Sequence, residues 1–169
     1  PHSTGPQLTM AMSQVTPSLF LGGAESALNH RLLVRHGVTL IINATLLHSC
    51  PAYPGVECVR VPVSDLPHSR LDEHFDKVAT RIHNNRTGST LVHCAMGMSR
   101  SPALVMAYLM RHRGATLRQA HHRVQESRPC VRLNAGFWEQ LLRYERRLYG
   151  CNTVRLAPPT EPSRFNTKH

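Results

Sequence analysis

The sequence predicts a single α/β domain in which a twisted, mostly parallel or mixed sheet of about five strands is flanked by helices. Short apolar runs with strand character alternate with amphipathic segments of helical period along most of the chain. The continuous apolar run Val38–Ala44 suits a strand that is buried on both faces, as in parallel sheets. A length of 169 residues is enough for one substantial core.

The first half of the chain supplies three strands and two helices. Residues 1–14 are polar and aperiodic, so they are predicted to be a flexible tail. The predicted elements that follow are a short strand within Val15–Gly23, a helix over Glu25–His36 that Gly37 ends, the Val38–Ala44 strand, a loop over Leu46–Gly55, a strand over Val56–Val63 and an amphipathic helix through Leu71, Phe75, Val78 and Ile82.

The second half contains one more strand and three helices. The predicted elements are a strand over Ser89–His93, an almost wholly apolar and therefore central helix over Pro102–His112, a helix opened by the capping box Thr116/Gln119 and stopped by Pro129, and a helix from Asn134 to Gly150. Residues 151–169 are predicted to be a C-terminal tail.

The most informative stretch is Thr90–Pro102. A strand ends at His93, a small loop with Cys94, Gly97 and Arg100 follows, and Ser101-Pro102 opens the apolar helix. A strand, a tight loop and a helix N-terminus in this order form an anion site, because loop N–H groups point inward and the helix dipole adds positive charge. Residues Cys94–Arg100 are called the nucleophile loop below.

The side chains of the nucleophile loop predict reaction chemistry. A thiol at a helix N-terminus beside a cation ionises more readily than a free thiol, so we expect Cys94 to be a thiolate nucleophile. The planar fork of Arg100 can hold two phosphoryl oxygens. Ser101 can donate a hydrogen bond to the sulfur and help it leave. A lone cysteine after a core strand would be structural, but the spacing of Gly97, Arg100 and Ser101 from Cys94 disfavours that interpretation.

The pattern His93-Cys94-x-x-Gly97-x-x-Arg100-Ser101 resembles the signature of the cysteine-dependent protein tyrosine phosphatases, and the chain is most similar to their small, atypical dual-specificity members. Two further blocks, Ala107–Met110 and Asn134–Leu141, carry the resemblance. It implies a protein tyrosine phosphatase-like fold with a catalytic domain over residues 15–150. It also implies hydrolysis of phosphotyrosine, phosphoserine and phosphothreonine through a cysteinyl-phosphate, with no cofactor and no metal.

A proton donor for the leaving oxygen is also required. Asp65 directly follows a predicted strand, and the resemblance places the general acid on the corresponding loop. Asp72 and Asp76 are competitors, but they fall on an amphipathic helix and are expected to be solvated charges.

The remaining predicted site residues support the nucleophile. His93 is expected to tune the thiolate by hydrogen bonding rather than to act as a base. Asn134 is either a helix cap or, as the resemblance suggests, a residue that steadies the loop. The backbone N–H groups of the loop are predicted to bind the substrate's phosphoryl oxygens, with Met96 and Met98 as an apolar rim. These N–H groups belong to Ala95, Met96, Gly97, Met98, Ser99 and Arg100.

Other functions in the same fold remain as alternatives. A catalytically weak or inactive phospho-binding scaffold would typically have lost the cysteine, the arginine or the acid, and all three candidates are present. An RNA 5′-triphosphatase-like enzyme is a further alternative. Similar 3-phosphoinositide enzymes carry lysines inside the loop, where this chain has Ala95, Met96, Met98 and Ser99.

The net charge and the cysteine pattern limit which partners and which cellular locations we expect. A net charge of +10 favours anionic partners, here phosphorylated proteins, whereas nucleic acid is disfavoured because few aromatic residues interleave with the arginines. No apolar run predicts a membrane span. Five cysteines at irregular spacing argue against a zinc site and a disulfide framework. We therefore expect a reducing, intracellular location, cytoplasmic and/or nuclear.

Overall fold

The structure of the chain is a computed structural model that describes residues 12–157. Residues 1–11 and 158–169, and with them most of the two predicted tails, lie outside the described residues. Within residues 12–157 a five-stranded mixed sheet and six α-helices form one α/β domain, which confirms the predicted fold class.

The elements follow one another in the predicted alternation. The strands are β1 (Ser13–Thr16), β2 (Leu19–Gly22), β3 (Val38–Asn43), β4 (Glu57–Arg60) and β5 (Ser89–His93). The helices are α1 (Ala24–Leu28), α2 (His30–Arg35), α3 (Phe75–Asn84), α4 (Arg100–Arg113), α5 (Leu117–Ser127) and α6 (Ala135–Tyr149), with a 3₁₀ turn (Leu71–His74) before α3.

The sheet topology places the functional loops on one edge. The strand order is β1-β2-β5-β3-β4, and all neighbours are parallel except β1, which is antiparallel to β2. Gly22 at the end of β2 and Asn43 at the end of β3 both lie in register with His93 at the end of β5. The chain segments that follow these three strands therefore emerge side by side, at the edge where α/β folds bind ligands.

The sheet is buried on both faces. Leu40, Ile42 and Val92 belong to the larger core that α3 to α6 cover. Ile41 and Leu91, the alternate residues, belong to a smaller core on the other face, beneath α1 and α2. The prediction that the β3 run is buried on both faces is therefore confirmed, and the alternation follows from the two-residue period of a strand.

Helix α4 is the central helix of the larger core. Every residue from Ser101 to Met110 is buried. Pro102 lies in the first turn, where its missing N–H costs no intrahelical hydrogen bond. Because α4 is enclosed over three turns, its N-terminus, and the nucleophile loop that leads into it, are held in a fixed place.

Two N-terminal elements differ from the prediction. Ser13 and Gln14, assigned above to the flexible tail, are part of β1 and lie opposite Leu21 and Phe20. A short polar strand at a sheet edge lacks the apolar alternation that marks a strand in sequence. The predicted helix over residues 25–36 is broken at Asn29, whose Oδ1 accepts a hydrogen bond from the N–H of Leu32 and so caps α2.

Two further elements are shorter or tighter than predicted. Strand β4 ends at Arg60 rather than Val63, and Pro62, which has no N–H to donate to a neighbouring strand, lies just beyond it. The predicted helix over Leu71–Ile82 begins as a 3₁₀ turn before α3. The capping box of α5, the Asn134 cap of α6 and the Gly150 stop are all confirmed.

The sequence argued against a disulfide framework, but one disulfide is present. Cys50 and Cys58 are disulfide-bonded, with Cα atoms 5.8 Å apart. The bridge joins the loop after β3 to strand β4. The fold of this loop brings together two cysteines whose spacing in the sequence did not indicate a pair. Cys94, Cys130 and Cys151 are free thiols.

Two absences hold for the described part of the chain. Residues 12–157 contain no cluster of three or more potential metal ligands. None of the helices there is both long enough and apolar enough to cross a membrane.

A buried carboxylate joins α5, α6 and the segment after α6. Glu145 on α6 accepts hydrogen bonds from the N–H of Leu117, from the side chain of Asn152 and from both the N–H and the hydroxyl of Thr153. Burial acts to raise the pKa of Glu145, but these four donors outweigh it and leave the pKa lowered. The segment after α6 is thereby attached to the domain rather than separate from it.

We predict that Glu145→Gln lowers the free energy of unfolding by about 1–3 kcal/mol, because an amide nitrogen would face donors that a carboxylate now accepts from. Denaturant unfolding measures this change. Glu139→Gln, at an exposed position of the same helix, is the control.

The pH dependence has a definite sign. The folded protein holds the pKa of Glu145 low. The contribution of Glu145 to the free energy of unfolding is therefore complete above the unfolded-state pKa of about 4.3, and it is lost as the pH falls through the lower, folded-state pKa. Wild type should therefore lose more stability than Glu145→Gln on acidification in that range. Equal losses would contradict the assignment.

Candidate active site

The nucleophile loop joins the end of β5 to the start of α4. Cys94 is buried, with 2% of its surface exposed. Its Sγ lies 3.1 Å from the hydroxyl oxygen of Ser101, the second residue of α4. The structure therefore brings together the predicted nucleophile and the side chain predicted to assist its departure.

Every backbone carbonyl of the loop from Cys94 to Ser99 accepts a hydrogen bond from a group outside the anion site. The ring Nδ1 of His93 donates to the carbonyl of Cys94, and the N–H of Ala24 donates to that of Ala95. Nη2 and Nε of Arg128 donate to the carbonyls of Met96 and Gly97. The N–H groups of Arg132 and Ala103 donate to the carbonyls of Met98 and Ser99. The distances lie between 2.8 and 3.2 Å.

These carbonyls determine where the loop N–H groups point. In a planar trans peptide the N–H of each residue is opposite the carbonyl of the residue before it. Fixing six carbonyls outward therefore turns the N–H groups of Ala95 through Arg100 to the opposite side. Among the described residues, none of the N–H groups from Ala95 to Ser99 donates to another protein atom. They form a cluster of free donors that suits a tetrahedral oxyanion.

Arg100 lies at the entrance of α4. Its Nη1 donates to the carbonyl of Val63 at 2.9 Å. Its Nε is buried and has no acceptor within residues 12–157. A buried guanidinium nitrogen without a partner is costly unless a ligand supplies the acceptor, and an anion on the loop N–H groups would do so.

His93 is held as a neutral ring. Burial lowers the pKa of His93, so the imidazole is uncharged near neutral pH. Since a carbonyl oxygen only accepts, Nδ1 carries the proton that it shares with the carbonyl of Cys94 at 3.2 Å. His93 therefore hydrogen-bonds the backbone of the nucleophile loop, and the expected tuning of the thiolate stays a prediction.

Asp65 lies on an exposed loop, here called the acid loop (Ser64–Arg70), beyond β4. Its Oδ1 accepts a hydrogen bond of 2.8 Å from Nδ2 of Asn134. The Oδ1 of Asn134 meanwhile accepts from the N–H of Phe137 and caps α6. The cap interpretation of Asn134 is confirmed. Its side-chain nitrogen binds the predicted acid rather than the nucleophile loop, which Asn134 reaches only through its backbone N–H, a donor to the hydroxyl of Ser99.

Helix α6 is the platform for the acid loop. A side chain at Gly136 would place its Cβ 1.8 Å from the carbonyl oxygen of Pro67, so only glycine permits this approach. The buried Gln140 donates to the carbonyl of Ser69 and accepts from the N–H of Asp72. With Asn134, these residues fix the loop at its beginning, middle and end.

The competing carboxylates lie elsewhere and are ion-paired rather than merely solvated. Asp72 pairs with Arg70. Asp76 accepts from the hydroxyl of Tyr144 and pairs with Arg111 and Arg147. Burial acts to raise the pKa of Asp76, but this hydroxyl and these two charges outweigh it and lower the pKa. Neither carboxylate contacts the nucleophile loop or Asp65 through its side chain, although Asp72 pairs with Arg70 at the end of the acid loop.

Two residues of the site were missed in the sequence. Gln140 lies within the block that carries the family resemblance, so that block was the available signal. Arg128 had no signal, because it is one of many arginines and lies far from Cys94 along the chain. Its contact with the loop exists because α5 ends beside β1, where Arg128 also bonds Ser13.

Comparison with known proteins identifies the family of the chain. The family model described as the dual specificity phosphatase catalytic domain matches residues 19–147. The chain belongs to the dual-specificity phosphatase family. It is a protein phosphatase, and therefore a hydrolase.

Individual relatives cover most of the domain. Human dual specificity protein phosphatase 14 is 43% identical, over 92% of this chain and 85% of its own length. Mouse dual specificity protein phosphatase 18 is 44% identical, over 86% of this chain and 78% of its own length. The solved structure of a mouse putative dual specificity phosphatase superposes with a TM-score of 0.80 at 42% identity, covering 82% of this chain and 89% of the other.

We predict that Asn134→Ser slows this phosphatase without unfolding it. A serine oxygen can still cap α6, so the free energy of unfolding should change by less than about 1 kcal/mol. The hydrogen bond to Asp65 is lost, so kcat for alkyl phosphates, whose leaving groups need a proton, should fall about tenfold. Aryl phosphates with acidic leaving groups should be affected less.

The matched control is Thr116→Ala, which removes the side-chain cap of α5, a helix whose N-terminus makes no contact with the acid loop. It should cost stability and leave both rates unchanged. An alkyl phosphatase rate that Asn134→Ser leaves at the wild-type value would show that the Asn134–Asp65 hydrogen bond does not position an acid.

Proposed function

We propose that this phosphatase works through Cys94, Arg100, Asp65 and Ser101, with the loop N–H groups binding the phosphoryl oxygens. The observation that carries the proposal is the set of free N–H donors from Ala95 to Ser99, in the loop that directly follows Cys94. A mouse relative described as complexed with zinc tungstate is consistent with such a site, since tungstate is a tetrahedral oxyanion like phosphate.

The first step transfers the phosphoryl group to the enzyme. The Cys94 thiolate attacks phosphorus, an S–P bond forms, and the ester P–O bond breaks. Asp65 gives its proton to the departing oxygen. Arg100 and the loop N–H groups hold the three equatorial oxygens, whose charge they stabilise in the transition state.

The second step releases phosphate. Asp65, now a carboxylate, takes a proton from water as the water oxygen attacks phosphorus. The S–P bond breaks, and Ser101, whose hydroxyl lies 3.1 Å from the sulfur, stabilises the departing thiolate. The net reaction converts a phosphomonoester and water into an alcohol and inorganic phosphate, and the enzyme returns to its starting protonation state.

The substrates we propose are phosphotyrosine, phosphoserine and phosphothreonine side chains of proteins. Family membership supports this choice over an RNA 5′-triphosphatase or a binding-only scaffold. The exposed side chains of Met96 on the nucleophile loop and Leu66 on the acid loop offer apolar contact to residues that flank the phosphorylated one. A thiolate nucleophile also suits a reducing compartment, and we propose phosphoproteins of the cytoplasm and nucleus as the substrate pool.

The test is phosphate release by Cys94→Ser. We predict that turnover of phosphotyrosine and phosphothreonine peptides falls by several orders of magnitude, because a serine hydroxyl is a far weaker nucleophile than a thiolate. Binding of tungstate, measured by calorimetry, should survive, because the N–H donors and Arg100 are unchanged.

The matched control is Cys151→Ser, which replaces a free, exposed cysteine beyond α6 that the mechanism does not use. It should retain wild-type turnover. Substantial turnover by Cys94→Ser, or equal losses in the two variants, would overturn the mechanism.

A further inference from the structure

The side chain of Arg128 binds the nucleophile loop on its carbonyl side, opposite the free N–H groups. It lies at the end of α5, and only 2% of its surface is exposed. Nη2 donates to the carbonyl of Met96 at 3.1 Å and Nε donates to the carbonyl of Gly97 at 3.0 Å. Nη1 donates to the hydroxyl of Ser13 on β1 at 3.2 Å.

These contacts use the geometry of a guanidinium. Its donors are fixed in a planar fork, so two of them can reach two successive carbonyls at once. A lysine at the same position carries charge but has no rigid fork. The contact is therefore specific to arginine and not only to a positive charge.

The two bound carbonyls control two of the substrate-facing donors. The carbonyl of Met96 shares a peptide plane with the N–H of Gly97, and the carbonyl of Gly97 shares one with the N–H of Met98. While Arg128 holds both carbonyls, both N–H groups stay on the anion side. Rotation of either peptide would turn a carbonyl oxygen, with its partial negative charge, towards the bound phosphoryl group.

Gly97 is shaped for this contact. It has φ +69°, a conformation that side chains rarely adopt. A Cβ there would lie 2.7 Å from Nε of Arg128 and 2.7 Å from the carbonyl carbon of Gly22. The glycine of the sequence pattern thus serves both the turn and the close approach of the guanidinium.

The contact with Arg128 belongs to a larger brace, residues Arg128–Asn134. The N–H of Arg132 donates to the carbonyl of Met98, and the N–H of Asn134 donates to the hydroxyl of Ser99. At its far end Asn134 also binds Asp65. One short segment therefore contacts both the anion-binding loop and the predicted acid.

We propose that Arg128 is a positioning residue of the phosphatase reaction, which holds the N–H groups of Gly97 and Met98 towards the phosphoryl oxygens and places a buried positive charge behind them. This inference rests on the proposed function of the loop. Arg128 does not touch the substrate, because it acts on the opposite side of the peptide planes.

The test compares Arg128→Lys and Arg128→Met with Arg123→Met. The control arginine lies on the same helix and also donates to a backbone carbonyl, that of Val15, which is not part of the loop. Three quantities are measured: tungstate affinity by calorimetry, kcat and KM for an aryl phosphate, and the pH profile of Cys94 alkylation by iodoacetamide.

Arg128→Lys should weaken tungstate binding about tenfold, and Arg128→Met should lower kcat by about a hundredfold, the effect expected when oxyanion donors are lost. The midpoint of the alkylation profile should move to higher pH in Arg128→Met and less in Arg128→Lys. Arg123→Met should match wild type in all three. A purely structural role predicts lower thermal stability with unchanged tungstate affinity and an unchanged profile, and that result would overturn the proposal.

Wild type provides a test that does not depend on the variants folding. The Nε–H resonance of Arg128 should be protected from exchange with solvent and should shift when tungstate is added, because the anion polarises the peptides that it binds. An Nε–H signal that does not respond to saturating tungstate would overturn the proposal.

Tungstate affinity also separates this inference from the proposed function. If tungstate affinity falls in the Arg128 variants but wild type hydrolyses no phosphoester, the proposed mechanism is refuted and the anion-positioning role stands. If wild type hydrolyses phosphoesters normally and both Arg128 variants keep the wild-type tungstate affinity, the proposed mechanism stands and the positioning role of Arg128 is refuted.

Discussion

The active site depends on six outward-facing carbonyls. A bare turn of six residues could adopt many peptide orientations, and most would place some carbonyl oxygens against a bound anion. Here each carbonyl from Cys94 to Ser99 has a donor on its outer side. Peptide planarity converts these outer contacts into an inner cluster of N–H donors. In the proposed mechanism, the affinity of the site for an oxyanion therefore depends on atoms that never touch the anion.

The donors come from parts of the chain that only the fold unites. Ala24 follows β2, Ala103 lies on α4, and the brace follows α5. The parallel register of β2, β5 and β3 brings Ala24 and Ala103 to the same edge of the sheet. The enclosed helix α4 fixes the C-terminal end of the nucleophile loop. The brace then continues to Asp65, so the groups proposed for binding and for proton transfer share one support.

Local patterns in the sequence predicted much of this arrangement. The nucleophile loop was recognisable because strand, loop and helix are contiguous and Cys94, Gly97, Arg100 and Ser101 have fixed spacing. The buried strand β3 and the buried helix α4 were also predicted, since their apolar runs are long. Asn134 was identified as a cap, since an Asn before a helical apolar period is a local signal.

Contacts between distant segments left no such pattern. Strand β1 is polar and forms through backbone pairing with β2. The Cys50–Cys58 bridge depends on how the loop before β4 folds back. Arg128 reaches the loop from the end of another helix, and nothing in the sequence distinguishes this buried arginine from the many others. In each case the missing information is tertiary, because the sequence pattern reports periodicity and not which segments meet.

A crystal structure of the protein with tungstate tests the central claim most directly. The account predicts that the backbone nitrogens from Ala95 to Arg100 lie about 2.7–3.2 Å from tungstate oxygens. It also predicts that the carbonyls of Met96 and Gly97 remain on Arg128. A tungstate bound away from Cys94, or a carbonyl of the nucleophile loop turned towards the tungstate, would contradict it.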